Sequence, residues 1–300
     1  MSLAYQNEVK AMASTVTKDD IKRACRELGI KSDDTVIIHS SLKSFGYVEG
    51  GAVAVIDAFK ETLSEGTLCF PALNQKNFAR AYIDWDIKKT PSDVGFLSET
   101  FRLLPDTLRS DQETHSVTAW GVNAKYITDS HRVPGTERHC LWGNYAFSRT
   151  SPWQRIYELG GKVIFLGVQM RFNTIKHLVE CIVVDDILTS IPDEDIKAQA
   201  ISEIANCFPG PDDIKRPVTP EGKPGGFWFW YDGVKMEEYF DKKGLIKTVH
   251  CGDSKIMCVD VPTFVEEWYK QLRYHPEDWI KETYCSWIRK YDIHYKGENK

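Results

Sequence analysis

Four short apolar runs, TVIIHSS at 35–41, GTLCFPAL at 66–73, HSVTAWG at 115–121 and KVIFLGV at 162–168, are separated by segments whose apolar residues recur at helical spacing. This alternation most constrains the fold: such strands bury themselves in a shared sheet, and the helices between them cover its faces, which is an α/β arrangement. The helices have readable ends. In TKDDIKRACRELGI, Thr17 is a candidate N-cap with Asp20 three residues on, Ile21, Ala24, Cys25 and Leu28 form a stripe, and Gly29 is a stop. AVAVIDAFKETL puts Val53, Ile56, Ala58, Phe59 and Leu63 on an inner face. TPSDVGFLSETFRLL at 90–104 predicts a helix starting at its proline, with Phe96, Leu97, Thr100, Phe101 and Leu104 at helical spacing. SPWQRIYELG predicts a short helix between Pro152 and Gly160.

Residues 1–16 read as a loose arm, 17–275 as the main domain, and 276–300 as an amphipathic helix with a polar tail. The proline- and glycine-rich stretch at 209–226 predicts an exposed loop. Beyond it, FWFWYDGVKMEEYFDKKGLI and SKIMCVDVPTFVEEWYKQL return to strand and helix patterns. A composition 42% hydrophobic and 27% charged, with nine Trp, thirteen Tyr and fourteen Phe, belongs to a folded globular chain. The net charge of -5 and the lack of a long basic run argue against nucleic acid as the main partner. No run approaches the ~18 apolar residues that span a bilayer, and MSLAYQNEVKAMAS lacks the apolar core of a secretion signal, so a cytoplasmic location without membrane partners is expected. The eight cysteines show no CxxC and no paired spacing, which favours buried thiols over disulfides.

The chemistry gathers in NTIKHLVEC, residues 173–181, directly after the run KVIFLGV. Residues three and four apart share a helix face, so His177 is within reach of Thr174, Glu180 and Cys181. A histidine beside a carboxylate is equipped for proton transfer, because its pKa lies near neutrality and the neighbouring charge fixes its tautomer. An amine attacking an acyl thioester fits such a base: the amine must lose a proton and the thioester needs no covalent help. Other readings compete. A metal site would hold only His177 and Glu180 where catalytic zinc needs three protein ligands, so none is expected. Cys181 and His177 could form a nucleophilic pair, although IVVDDIL after Cys181 is an inert, apolar setting. His39, at the end of an apolar strand, reads first as a structural residue. SLKSFGYVEGG lacks the P-loop order, yet its helix start and Lys43 could receive an anion.

Four segments in order, VIIHSSLKSFGYVEGG, TPSDVGFLSETFR, LRSDQETHSVTAWG and GGKVIFLGVQMRFNTIKHLVE, resemble the aminoglycoside 3-N-acetyltransferase family from about residue 18 to 275. The resemblance implies a three-layer α/β/α arrangement around a mixed β-sheet, and makes 17–275 an acyltransferase domain. It implies direct acyl transfer from acetyl-CoA, or a related acyl-coenzyme A, to a small-molecule amine, with no metal; homodimerisation is left open. It implies His177 as general base, Glu180 as its orienting carboxylate and Thr174 as a hydroxyl donor near the thioester. Ser40, Ser41, Lys43, Ser44 and Phe45, with His115, Ser116 and Val117, become the wall for the coenzyme's pantetheine arm and phosphates.

The chain departs from the family pattern at Gln112 and Glu113, where a His-Pro pair is expected, in the loop 209–226 and after 275. These departures bear on the acceptor. An aminoglycoside, as a polycation, calls for carboxylates, with Asp84, Asp86, Asp185, Asp186, Glu237 and Glu238 as candidates. A nucleotide-linked amino sugar would prefer Lys215, Arg216 and Lys223. Two rivals to direct transfer remain: a ping-pong route through Cys181, and a silent coenzyme-binding module with Trp268, Tyr269, Trp279 and Trp287 as a partner surface.

Overall fold

The structure is a computed structural model and describes residues 15–74, 84–139, 145–207, 232–280 and 282–295. Helix α1 (Lys18–Leu28) opens with the expected capping box: Thr17 Oγ1 accepts from Asp20 N at 3.2 Å and Asp20 Oδ2 accepts from Thr17 N at 2.9 Å. Its stripe, Ile21, Ala24, Cys25 and Leu28, is buried. There follow β1 (Thr35–Ser40), a 3₁₀ turn (Leu42–Phe45), α2 (Gly51–Thr62), β2 (Thr67–Pro71), α3 (Phe96–Arg102), β3 (Leu108–Arg109), β4 (Val117–Gly121), α4 (Ala124–Thr128), α5 (Pro152–Glu158) and β5 (Lys162–Leu166). A second 3₁₀ turn (Met170–Phe172) leads into α6 (Ile175–Ser190), α7 (Glu194–Cys207), α8 (Gly233–Lys242), β6 (Lys247–Cys251), β7 (Ser254–Asp260), α9 (Val261–Tyr274) and α10 (Glu282–Tyr291).

The strands form one mixed sheet in the order β3-β4-β2-β1-β5-β7-β6. β1 runs parallel to β2 on one side and β5 on the other, and the remaining pairs are antiparallel. The three parallel strands are apolar throughout because helices cover both faces. Val36, Ile38, Leu68, Phe70, Ile164 and Leu166 face a layer made by α1, α2 and α3. Ile37, Cys69, Val163 and Phe165 face the opposite layer, built on α5, α6 and α9. The three-layer α/β/α arrangement is therefore as expected.

Local departures have local causes. The helix expected from residue 90 begins only at Phe96, because Gly95 at φ 135° sits in a region that side-chain-bearing residues avoid. Within α3, Leu97 and Phe101 point inward while Phe96 is 69% exposed. In α2, Val53 faces solvent and Val55 takes the inner position. The aromatic C-terminal region is core: Trp268, Trp279 and Trp287 are buried, with Trp268 and Trp279 packed edge-on at 4.8 Å between centroids. These tryptophans therefore do not form the partner surface that the rival reading offered, and Tyr269 is half-buried. α10 inserts Tyr284, Cys285, Trp287 and Ile288 into the core shared by α6 and α9. Cys25, Cys69, Cys181, Cys251, Cys258 and Cys285 are buried and in no disulfide. Among the described residues, no helix is long and apolar enough to cross a membrane.

Candidate active site

Parallel neighbours on both sides of β1 make the carboxyl ends of β1, β2 and β5 a topological switch point, where open α/β sheets form crevices. A cavity of about 310 Å³ lies there. Its walls are His39 and Ser40 at the end of β1, Pro71 at the end of β2, and the start of α6 with Asn173, Thr174, Lys176 and His177. Arg171 and Phe172 stand exposed beside it. This volume suits a small polar-apolar ligand end.

His177 occupies the first turn of α6, and its Nδ1 lies 2.8 Å from Glu180 Oε2. Glu180 is 3% exposed and the His177 side chain 16%. A carboxylate only accepts, so this contact puts the proton on Nδ1 and makes Nε2 the unprotonated ring nitrogen. Burial, and then the nearby Lys176 ammonium, push the His177 pKa well below its ordinary value. The imidazole is neutral near pH 7 and able to take a proton. Burial likewise lowers Lys176 to about 8, against the Glu180 charge, which raises it.

The ring of His177 is held from behind. His115 meets it edge-on with centroids 6.4 Å apart, and Phe147 lies at 5.9 Å. His115 is itself fully buried, with Nδ1 2.8 Å from Thr114 Oγ1 and its carbonyl accepting from Trp153 Nε1 at 2.9 Å. Burial, and then the neighbouring His177 and His131, hold its pKa well below the ordinary range. The unexpected Gln112 organises this turn, because its Oε1 accepts from Thr114 N at 2.9 Å and from His115 N. Glu113 is engaged by Arg132.

The other residues singled out in the sequence fall in three layers. Ser40 and Thr174 line the cavity with His177. Next to it, Lys43 is exposed, while Ser44 donates to Ser41 O at 2.6 Å and lies 2.9 Å from Ser254 Oγ. That turn packs against Gly167 at φ 62°, where a Cβ would sit 1.8 Å from Ser44 Oγ. Behind the wall, Phe45 and Val117 are core side chains, and Ser116 Oγ donates to Ala72 O at 2.7 Å. The backbone N–H of Thr174 donates to His39 Nε2 at 3.4 Å, so His39 is a hydrogen-bonded structural residue that also faces the cavity. Cys181 is 3% exposed within the core and is absent from the cavity lining.

Of the acidic candidates, Asp185 pairs with Arg149 at 2.8 Å, Asp186 accepts from Tyr269 at 2.8 Å, and Glu237 pairs with Lys255 at 2.7 Å. None of the six lines the cavity among the described residues. Lys215, Arg216 and Lys223 lie outside the described residues. No group of three or more metal-ligating side chains occurs among the described residues.

Two polar atoms of the cavity stand out. Asn173 Nδ2 and Ser40 Oγ are buried and have no hydrogen-bond partner among the described residues. Asn173 was not singled out from sequence, although an asparagine immediately before a helix start is a recognisable polar signal.

The fold and the cavity define an α/β protein with a buried histidine–carboxylate pair at a topological switch point. The chain belongs to the aminoglycoside 3-N-acetyltransferase family, whose model matches residues 37–273. It is 30% identical over 185 residues to the SPbeta prophage-derived aminoglycoside N(3')-acetyltransferase-like protein YokD of Bacillus subtilis, a match covering 55% of this chain and 64% of that protein. Aminoglycoside N(3)-acetyltransferase III of Serratia marcescens is 31% identical, again over 55% of this chain and 64% of the relative. The matched stretch thus spans less than two thirds of these relatives. Among solved structures, AAC-IIIb in binary complex with CoASH superposes with a TM-score of 0.64 at 19% identity, covering 87% of this chain and 97% of that one. A mutant of AAC(3)-IVa in complex with apramycin gives 0.59 at 21% identity, covering 85% and 91%.

Proposed function

We propose that this protein is an acyl-coenzyme A-dependent N-acyltransferase that moves an acetyl or related acyl group directly to an amine of an aminoglycoside or another amino sugar. The observation that carries the proposal is the His177–Glu180 pair at 2.8 Å, with His177 opening onto a cavity at the carboxyl ends of the parallel strands. Family membership and the coenzyme in the AAC-IIIb structure support acetyl-CoA as donor. The apramycin in the AAC(3)-IVa mutant supports an aminoglycoside-like acceptor.

In this reading His177 Nε2 takes a proton from the attacking nitrogen as the nitrogen bonds to the thioester carbonyl carbon. Glu180 keeps the ring's tautomer and offsets the imidazolium charge that forms. The carbon–sulfur bond then breaks, coenzyme A leaves as thiolate, and the imidazolium returns the proton to solvent or sulfur. Thr174 supplies a hydroxyl toward the carbonyl oxygen. Ser40 faces the thioester end and Ser41, Lys43 and Ser44 the pantetheine and phosphates, with Lys43 and Arg171 as exposed cations for the latter. Phe45, His115, Ser116 and Val117 shape the wall from behind rather than contacting the coenzyme through polar groups. The buried setting of Cys181 favours direct transfer over a ping-pong route.

The test is His177→Ala. Transfer to a panel of amines, covering antibiotics and nucleotide-linked amino sugars, should be abolished while coenzyme affinity stays within a few fold. Loss of coenzyme binding instead would mean the residue has been assigned the wrong role. Incubation with labelled acetyl-CoA and no acceptor should leave no acyl adduct by mass; an adduct on Cys181 would favour the ping-pong route.

A further inference from the structure

The first turn of α6 points into the cavity, yet its backbone amides have none to spare. Thr174 N donates to His39 Nε2 at 3.4 Å and Ile175 N to Asn173 Oδ1 at 3.1 Å. Lys176 N donates to Asn173 O at 3.4 Å and His177 N to Thr174 O at 3.1 Å. A helix start normally serves as an anion site through just these groups. Here they are all occupied, and any donor for a carbonyl oxygen gaining negative charge must come from side chains.

Asn173 supplies one. It is 0% exposed, sits in the cavity lining beside Thr174 and His177, and carries an Nδ2 with no hydrogen-bond partner among the described residues. Its orientation is chemically determined: Ile175 N–H needs an acceptor, so the atom facing it is Oδ1 and the amino group turns the other way. A buried amide donor left without a partner in a native fold calls for an explanation, and a ligand acceptor provides one. Thr174 makes no capping bond to its own helix and lines the same cavity.

We propose that Asn173 Nδ2 is a hydrogen-bond donor to the thioester carbonyl oxygen of bound acyl-coenzyme A, acting with Thr174 and strengthening as charge builds on that oxygen during amine attack. This rests on the acyltransferase reading of the cavity but assigns a group that reading does not use. The donor is aimed in advance and dry, so it costs little reorganisation at the moment of reaction.

The experiment compares wild type, Asn173→Asp, Asn173→Ala and His177→Ala by two readouts. Asn173→Asp retains an acceptor for Ile175 N–H and so preserves the helix start, while removing the donor; it is measured at mildly alkaline pH, with the carboxyl ionised. The first readout is the infrared stretch of an isotope-labelled acetyl carbonyl in bound acetyl-CoA. It should move to lower frequency in wild type and His177→Ala, and return toward the free value in both Asn173 variants. The second is transfer, where kcat should fall roughly 10²–10³-fold in both Asn173 variants with the acetyl-CoA KM within a few fold. An unshifted carbonyl in wild type, a shift that persists in both Asn173 variants, or an unchanged kcat would overturn the assignment. Continued transfer by His177→Ala would instead strike at the base, since the carbonyl shift is read without turnover.

Discussion

Nδ1 of His177 and Oε2 of Glu180 lie 2.8 Å apart across one turn of α6, with His177 lining the cavity and Glu180 buried behind it. The pair is local in sequence, yet its chemistry depends on surroundings that come from distant parts of the chain, His115 and Phe147 among them.

Replacing Glu180 by Gln tests the pair. An amide can still accept from Nδ1–H, so the ring stays in place, but the charge that offsets the imidazolium is gone. We expect kcat for amine acetylation to fall about 10²-fold, within the range general base catalysis supplies, with the KM for acetyl-CoA nearly unchanged. Steady-state kinetics with both substrates varied would decide it. A kcat within about threefold of wild type would show that the carboxylate only packs.

The histidines give a signed pH dependence of stability. Burial lowers His39 and His131 to about 3, and His115 and His177 also lie well below the ordinary 6.5. Below about 6.5 the unfolded chain gains protons at these sites and the folded chain does not. The stability they contribute is therefore complete above that value and is lost as pH falls below it, toward about 3 for His39 and His131. For a single buried histidine the slope is at most about 1.4 kcal/mol per pH unit. Urea unfolding at about pH 7 and about pH 5 should show the fall, and His131→Asn should make it shallower by its own share. A pH-independent unfolding free energy over that interval would contradict the burial of these rings.

Gly167→Ala should destabilise the chain by about 2–5 kcal/mol, combining left-handed backbone strain with overpacking. The added methyl would meet Ser44 Oγ at 1.8 Å and Ser44 Cβ at 2.1 Å. Adding Ser44→Gly removes the two closest contacts and should recover only part of the packing loss, because Ser254 Oγ would still lie 2.8 Å from the methyl and φ 62° stays unfavourable for alanine. Denaturant melts of the single and double variants measure both parts. Full recovery in the double variant would mean the backbone carries no strain.

Much of the fold was legible because its signals are local. The capping box at Thr17 and Asp20, the stripe on α1 and the apolar runs of β1, β2, β4 and β5 depend on neighbours within a few residues. Strand β6 and helix α7 were less so: β6 is an edge strand with a largely exposed surface, and polar edge strands carry no apolar run to announce them. The start of α3 was misplaced because proline chemistry favours a helix from residue 91, whereas Gly95 at φ 135° breaks it there.

The sequence by itself determined that strands and helices alternate, and that His177 and Glu180 share a helix face, because the 3.6-residue period is a property of the backbone. Only the tertiary structure decided that the C-terminal tryptophans are core, that the first amides of α6 are consumed, and that Asn173 faces Ser40 and His177 across one cavity. Those facts depend on strands far apart in the chain meeting side by side, and no local pattern encodes which buried polar atom is left without a partner.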